Sequence, residues 1–552
     1  MIATFSTVTR LVVAALILWL VILILMSGPF LRSNGGPPED QVVARLNRAI
    51  DELEELKRHN AQLLSVVQAL TKGKPGSTVD VLGTAASSAA PPRDYEVYRR
   101  RAENDIRELW FFARAQLDKL IKAASNDDQA TLKVLRNGIY ERKLAALTDM
   151  EAARQRDGYE KWRRDEADAL HNSVMRRIRT LQNPPDCSSA KKLICTLNKG
   201  CGYGCQLHHA AYCLVMSISM RRTLILKSKG WRYEPRGFER IFRPVSNSCM
   251  VATGKMEKYP ADEDTMNLEL PIIDSINPKP AQLPLAIPKA LAARVEQLHG
   301  NPALWWISQL VGFLQRPQPE TETFLQQVEQ QNGIEQPYVG IHVRRTDKIG
   351  TEASFHGIEE YMSWVTEYFD RYEMAHGPLN KRRVYIASDD ESVLRDARSR
   401  FPDYAFFGDQ KIAASASLKN RYTVESLRGV IADLHMLSRA DYIVCTFSSQ
   451  VCRVAFEMMQ LRFPDASQRY HSLDDIFYFG GQKDHSVVAV IDHPQTQALE
   501  GEIAFQKGDI LGIAGNHWDG FSRGVNRRTA QRGLFPSFKT ADFVDTADFG
   551  DF

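Results

Sequence analysis

Three short apolar runs, each closed by charged or hydroxyl side chains and each followed by a helical stretch, constrain this chain more than any other feature. Tyr338–Val343 (YVGIHV) has β-branched residues at Val339, Ile341 and Val343 and ends in Arg344, Arg345, Thr346, Asp347 and Lys348. Arg383–Ala387 (RVYIA) ends in Ser388, Asp389 and Asp390, and Asp441–Thr446 (DYIVCT) ends in Phe447, Ser448, Ser449 and Gln450. Runs of this length and composition read as buried strands. The stretches His356–Met374, Leu427–Ser438, Val451–Gln460 and the one opening at Ser392 read as helices. This alternation predicts a parallel, doubly wound α/β sheet, whose ligands sit beyond the carboxyl ends of the strands. The three polar tips are therefore expected to line one crevice.

Two adjacent arginines at a strand end suit a phosphate or carboxylate, which a guanidinium grips bidentately. They also suit a structural ion-pair rim with Asp347 and Glu352, and the stretch Tyr338–Glu352 alone leaves both readings open. A helix amino terminus behind Ser448 and Ser449 adds N–H and O–H donors for a phosphate. No G-x-x-x-x-G-K-[ST] is present, and no G-x-G-x-x-G follows a strand, so a P-loop ATPase is excluded and a nicotinamide enzyme disfavoured. A net charge of +3 gives no argument for nucleic acid.

The 552 residues exceed one domain, and 25% charged with 44% apolar residues is globular composition. Leu11–Met26 is uninterrupted apolar sequence, enough helix for ~24 Å, or ~32 Å if continued to Leu31. A cleaved signal peptide is the rival, but the run is long for one and no A-x-A site follows. The expectation is a cytoplasmic tail (1–10), an uncleaved signal anchor (11–31) and a lumenal body. Val42, Leu46, Ala49, Leu53, Leu56, Asn60, Leu63, Val67 and Leu70 then alternate spacings of four and three, a coiled-coil seam over 41–71 with Asn60 at an a position. Residues 72–93 read as a flexible linker. Residues 94–181 read as two or three long helices, with Gly138 and Gly158 as the main breakers and Trp110, Phe111 and Phe112 as core anchors.

Six of the eight cysteines, Cys187, Cys195, Cys201, Cys205, Cys213 and Cys249, crowd one segment without C-x2-C spacing. Behind a signal anchor they are expected to form disulfides, in any of 15 pairings. Cys445 and Cys452 are placed to pair locally. Lys199–Cys205 (KGCGYGC) is a tight turn that either lets backbone N–H groups approach a ligand or is simply a pinned turn. Trp231, Arg232 and Tyr233 follow the strand-like TLILKSKGW and could stack on a base or serve as core. Asp262-Glu263-Asp264 imitates a D-x-D metal motif but lies in a polar loop and reads as solvated. A lumenal nucleotide ligand outside the kinase class suggests a nucleotide sugar.

HVRRTDK, YIASDD, CTFSSQVCR and HSLDDIFYFGGQ, with the stem before them, resemble the α1,6-fucosyltransferases of N-glycan core fucosylation over nearly the whole chain. The resemblance implies an α/β, GT-B-like fold with an open α/β region (182–333), a Rossmann-like GDP-binding region (334–482) and a carboxyl-terminal SH3 β-barrel (483–545). It implies GDP-β-L-fucose as donor, the innermost GlcNAc of an N-linked glycan as acceptor, inversion at the anomeric carbon, no cofactor and no divalent metal. Carried over by motif, Arg344 and Arg345 meet the diphosphate, and His342, Tyr233, Gly202, Asp433 and Ser449 contact GDP. Glu352 is the general base with Lys348 beside it. Lys199, Asp389, Asp390, Gln450, Asp474, Asp475, Tyr478 and His517 surround the acceptor. The implied disulfides are Cys187–Cys249, Cys195–Cys213, Cys201–Cys205 and Cys445–Cys452. The implied location is the Golgi membrane, single-pass type II.

The pieces E-x-x-F-x-x-G-D, Trp-Asp-Gly and Gly-Leu-Phe-Pro-Ser between Glu502 and Phe538 resemble an SH3 barrel, although Val488–His493 (VAVIDH) replaces the usual tyrosine-bearing opening strand. The acidic tail from Ala541 to Phe552 is expected to fray. Two other readings exist: another GDP-fucose-dependent transferase, such as a protein O-fucosyltransferase, or an inactive coiled-coil/SH3 scaffold on a membrane. The SH3-like tail and Asp474-Asp475 disfavour the first, and the intact strand tips disfavour the second. The heptads predict a homodimer through the stem: light scattering on protein retaining 41–71 should give twice the chain mass, and a monomer mass refutes it.

Overall fold

The computed structural model describes residues 90–345, 354–416, 421–480, 482, 485–494, 501–516 and 518–550. The anchor at 11–31, the heptads at 41–71 and nearly all of the linker lie outside the described residues, as do Lys348, Glu352 and His517. Among the described residues no helix is long and apolar enough to cross a membrane.

The charged stretch after the linker folds as three helices, α1 (Tyr95–Ala123), α2 (Asn126–Arg156) and α3 (Glu160–Gln182). The Ser125 hydroxyl accepts from the Asp128 N–H and starts α2. Gly158, at φ 82°, separates α2 from α3, whereas Gly138 is absorbed inside α2. Trp110 and Phe111 are buried, but Phe112 is exposed. Successive helical positions turn by ~100°, so three in a row cannot share one face.

A first, wholly parallel sheet contains β1 (Lys192–Thr196), β2 (Thr223–Lys227), β3 (Glu257–Lys258) and β4 (Asn267–Glu269) in the order β2-β1-β4-β3. Helix α4 (Tyr203–Ser219) joins β1 to β2 and is buried along almost its whole length, as its all-round apolar sequence requires. After β5 (Ile287–Pro288) come α5 (Lys289–Leu298), α6 (Pro302–Leu314) and α7 (Pro319–Asn332). The four disulfides join Cys187 to Cys249, Cys195 to Cys213, Cys201 to Cys205 and Cys445 to Cys452.

The second parallel sheet follows the expected rhythm: β6 (Tyr338–Val343), α8 (Ile358–His376), β7 (Arg382–Ser388), α9 (Ser392–Arg400), β8 (Tyr404–Phe407), α10 (Gln410–Ser415), α11 (Val424–Arg439), β9 (Tyr442–Cys445), α12 (Gln450–Met459) and β10 (Tyr470–Ser472). Its order, β8-β7-β6-β9-β10, reverses direction between β6 and β9. That reversal is the topological switch point, where doubly wound sheets open a crevice. β6 is buried on both faces. A Cβ on Gly340 would stand 2.9 Å from Leu437 Cδ2 and 3.3 Å from Ala440 Cβ, so α11 and the residue after it lie directly on the central strand.

The carboxyl-terminal sheet is antiparallel: β11 (Ser486–Ala489), β12 (Ile510–Asn516), β13 (Phe521–Asn526), β14 (Arg532–Pro536) and β15 (Thr540–Asp542), ordered β14-β13-β12-β11-β15. Its core is Val487, Ala489, Ile503, Phe505, Leu511 and Phe535. The tail does not fray through its described part. β16 (Thr546–Ala547) pairs in parallel with β5, and Phe549, 2% exposed, meets Trp306 edge-on at 5.7 Å. Thr546, Asp548 and Gly550 point outward while Ala547 and Phe549 point in, so the acidic composition hides a period-two apolar face. Phe549→Ala should therefore cost about 3–5 kcal/mol of stability by emptying that socket; an unchanged denaturation midpoint refutes the docking.

Candidate active site

The switch point brings the tips of β6, β7 and β9 together. The Arg344 guanidinium meets Asp389 at 2.8 Å, and the Arg345 N–H donates to the other oxygen of the same carboxylate at 2.8 Å. Asp389 is 6% exposed, so it grips Arg344 from beneath and leaves the guanidinium nearer the lip. The expected rim partners Asp347 and Glu352 lie outside the described residues, and the arginine is held from the neighbouring strand. The Arg345 guanidinium lies 4.1 Å over Phe355. Asp390 instead starts α9, accepting from the Ser392 N–H at 2.9 Å.

On the other side, Ser449 is the N-cap of α12. Asp474 supports the turn before it, accepting from the N–H groups of Phe447 (2.7 Å), Ser448 (3.3 Å) and Asp475 (2.7 Å) and from the Ser472 hydroxyl (2.9 Å). The first-turn N–H groups of α12, like those of any helix, have no acceptor within the helix. Arg453, one turn further along α12, donates to Tyr478 O at 2.9 Å and stacks 3.9 Å over the Tyr478 ring. It thereby ties the 474–480 loop to the helix. Burial raises the carboxyl of Asp475 above its ordinary value, against a bond from the Ile476 N–H at 2.8 Å.

The opposite wall is the Gly-Cys turn. Gln206 donates to Lys199 O (3.0 Å) and Cys201 O (2.8 Å) while accepting from the Trp231 indole, so one buried amide shapes the whole turn. Gly202 caps α4, and a Cβ there would meet nothing within 4 Å. Gly204 is the opposite case: its Cβ would stand 2.9 Å from the carbonyl carbon and oxygen of Gln450. The starts of α4 and α12 therefore touch, and two helix amino termini face the same space. Lys199 pairs with Asp274 at 2.6 Å.

Trp231 and Tyr233 are both fully packed, which makes Trp231 core rather than a stacking platform. Tyr233 lies among Tyr203, Trp231 and Tyr422, and Arg232 caps Tyr422 at 3.6 Å. Burial pushes the Tyr233 phenol up to about 12, with Arg344 among the charges that oppose the shift. Burial, then Arg344, brings His342 down to about 4, so it is neutral, and its Nδ1 has no partner among the described residues. Asp433 on α11 accepts from the Tyr385 hydroxyl at 2.8 Å, and burial raises it to about 7.

Asp262, Glu263 and Asp264 are exposed, as expected, and Lys191 bonds to Glu263 O and Asp264. Cys195, His209 and Cys213 bring three ligand atoms within 4.8 Å of one another, but both sulfurs are spent on their disulfide. A cavity of about 840 Å³ between α1 and the carboxyl-terminal sheet is lined by none of the sequence-derived site residues. Sequence reasoning passed over Arg453, Gln206, Asp274 and Tyr422. Arg453 stood inside the quoted CTFSSQVCR, where three positions after Gln450 places it on the next turn of the same helix.

The Asp433 shift has a direct consequence. Between about pH 4 and 7 the folded state keeps a proton that the unfolded state releases, so Asp433 makes folding less favourable as pH rises, fully so above about 7. Asp433→Asn, which does not titrate, removes this pH dependence. The melting temperature of the variant minus that of wild type should rise from pH 5 to pH 8; a difference that does not change with pH refutes the shift.

Residues 1–478 match the family model described as alpha-(1,6)-fucosyltransferase N- and catalytic domains. The chain is 50% identical over 465 residues to an alpha-(1,6)-fucosyltransferase of Drosophila melanogaster, covering 83% of this chain and 74% of that one. It is 38% identical over 458 residues to an alpha-(1,6)-fucosyltransferase of Caenorhabditis elegans, covering 82% and 79%. Among solved structures, a NodZ alpha-1,6-fucosyltransferase co-crystallized with GDP aligns with 48% of this chain and 92% of its own at 14% identity and a TM-score of 0.29, an overlap too slight to argue from. On the family match and the two relatives, the chain belongs to the alpha-(1,6)-fucosyltransferase family of glycosyltransferases.

Proposed function

We propose that this enzyme transfers L-fucose from GDP-β-L-fucose to the 6-hydroxyl of the innermost GlcNAc of N-linked glycans, with inversion and without a divalent metal. The observation that carries the reading is Arg344, oriented by Asp389 at the switch point opposite the α12 amino terminus. In this reading the diphosphate lies between Arg344, Arg345 and the starts of α4 and α12. Their positive charge stabilises the leaving GDP as the bond from the anomeric carbon to the phosphate oxygen breaks. The acceptor's O6 forms the new bond from the opposite face, and Glu352, with Lys348 beside it, takes the O6 proton. His342, Tyr233, Gly202, Asp433 and Ser449 hold the nucleotide. Lys199, Asp389, Asp390, Gln450, Asp474, Asp475, Tyr478 and His517 form the acceptor side. Asp389 then has two tasks, since it also orients the arginine.

The same reading includes a GT-B-like arrangement, a Golgi type II anchor at 11–31, a stem homodimer and an SH3 barrel at the carboxyl terminus. The five-stranded antiparallel sheet from β11 to β15, coinciding with the E-x-x-F-x-x-G-D and Gly-Leu-Phe-Pro-Ser spacings, supports the barrel. The test is transfer from GDP-fucose to a GlcNAc-terminated biantennary glycopeptide. Arg344→Ala should lower kcat/KM by about 10²-fold or more, and EDTA should leave the wild-type rate unchanged. Wild-type activity in Arg344→Ala refutes the site, and loss to EDTA with recovery on manganese refutes the metal-free mechanism.

A further inference from the structure

His208 lies on α4, in the seam between the two parallel sheets, and is 3% exposed. Its Nδ1 is 2.9 Å from Gln450 Oε1, and its Nε2 is 2.9 and 3.0 Å from the two carboxylate oxygens of Glu457. Glu457 is completely buried and stands two turns after Gln450 on α12. The imidazole ring also packs against Phe479, centroid to centroid 4.9 Å. An amide oxygen and a carboxylate only accept hydrogen bonds, so each ring nitrogen faces an acceptor. The Gln450 amide is then held with its oxygen inward. Its nitrogen is turned toward Gly480, 4.0 Å from where a Cβ on that residue would stand. Gly480 belongs to the loop that carries Asp474, Asp475 and Tyr478.

A buried pair of this kind is a poor source of stability, because desolvating both groups offsets much of their attraction. What it supplies here is direction. We infer that His208 is a positioning residue for the acceptor sugar: through Nδ1 it fixes the Gln450 amide so that Nε2 donates to a sugar hydroxyl at the 474–480 wall, while Glu457 fixes His208. This rests on the reading of that wall as the acceptor side.

Two substitutions separate orientation from packing. The amide nitrogen of asparagine reaches the place of Nδ1, and that of glutamine reaches the place of Nε2. In the full-length enzyme, His208→Gln keeps the Glu457 bond and loses the Gln450 bond. Its acceptor KM should rise about fivefold, the worth of one hydrogen bond, with kcat, donor KM and melting temperature close to wild type. His208→Asn does the reverse, keeping acceptor KM while lowering the melting temperature. In a Gln450→Ala background, His208→Gln should raise acceptor KM no further. A wild-type acceptor KM in His208→Gln, additive effects in the double variant, or KM changes that simply follow melting temperature each overturn the inference. If His208→Asn does not fold, His208→Gln and the double variant still decide. Failure of the underlying reading looks different: wild-type enzyme then makes no fucosylated glycopeptide. Calorimetry of the glycopeptide with GDP present would then decide, and equal affinity for wild type and His208→Gln overturns the inference.

Discussion

The constraint on which the crevice depends is the contact between Gly204 and the backbone of Gln450, 2.9 Å from where a Cβ on Gly204 would stand. A Cβ at 204 would meet a carbonyl group, which cannot swing aside as a side chain can. This one missing atom lets α4, which belongs to the first parallel sheet, lie against the start of α12, which belongs to the second. Because both helices begin there, at Gly202 and Ser449, their unsatisfied N–H groups and the positive ends of their dipoles share one space. The Cys201–Cys205 disulfide and the Gln206 side chain hold the Gly-Cys turn in the form that this approach needs.

Charge around the crevice follows from depth. The Asp389 side chain is 3% exposed and that of Arg344 16%, so the pair is anchored from below by its carboxylate. His342 lies deeper beside them, and burial keeps it neutral, so it adds no repulsion to the arginines. Burial likewise favours the protonated form of Asp433, at a distance set by α11 resting on Gly340.

Much of this was legible in the chain. β6 has the bounds its apolar run suggests, and β7 and β9 differ by a residue at either end, because a buried parallel strand needs an uninterrupted apolar stretch bounded by polar tips. β8 and β10 were not legible: one is a half-exposed edge strand of four residues and the other has three, too few for a periodic signal. The tail misled for a related reason. Asp545 and Asp548 read as a solvated end, yet Ala547 and Phe549 between and beyond them find a ready socket at Trp306 and β5. Phe112 shows the limit of composition, since an aromatic triplet on a helix must send one ring outward.

By itself the sequence determined the strand–helix rhythm, the polar residues at each strand end and, through its long motifs, the family. These are local properties, written in hydrophobic period and in contiguous residues. Tertiary structure decided which partner each of those residues takes. Arg344 is held by Asp389, 45 positions later at the tip of the neighbouring strand. Gln450 answers to His208, on a helix of the other sheet. Such pairings depend on the order of strands in the sheet and on how closely two helices approach. Neither is encoded in any single stretch, because both arise only when distant segments compete to bury the same surface.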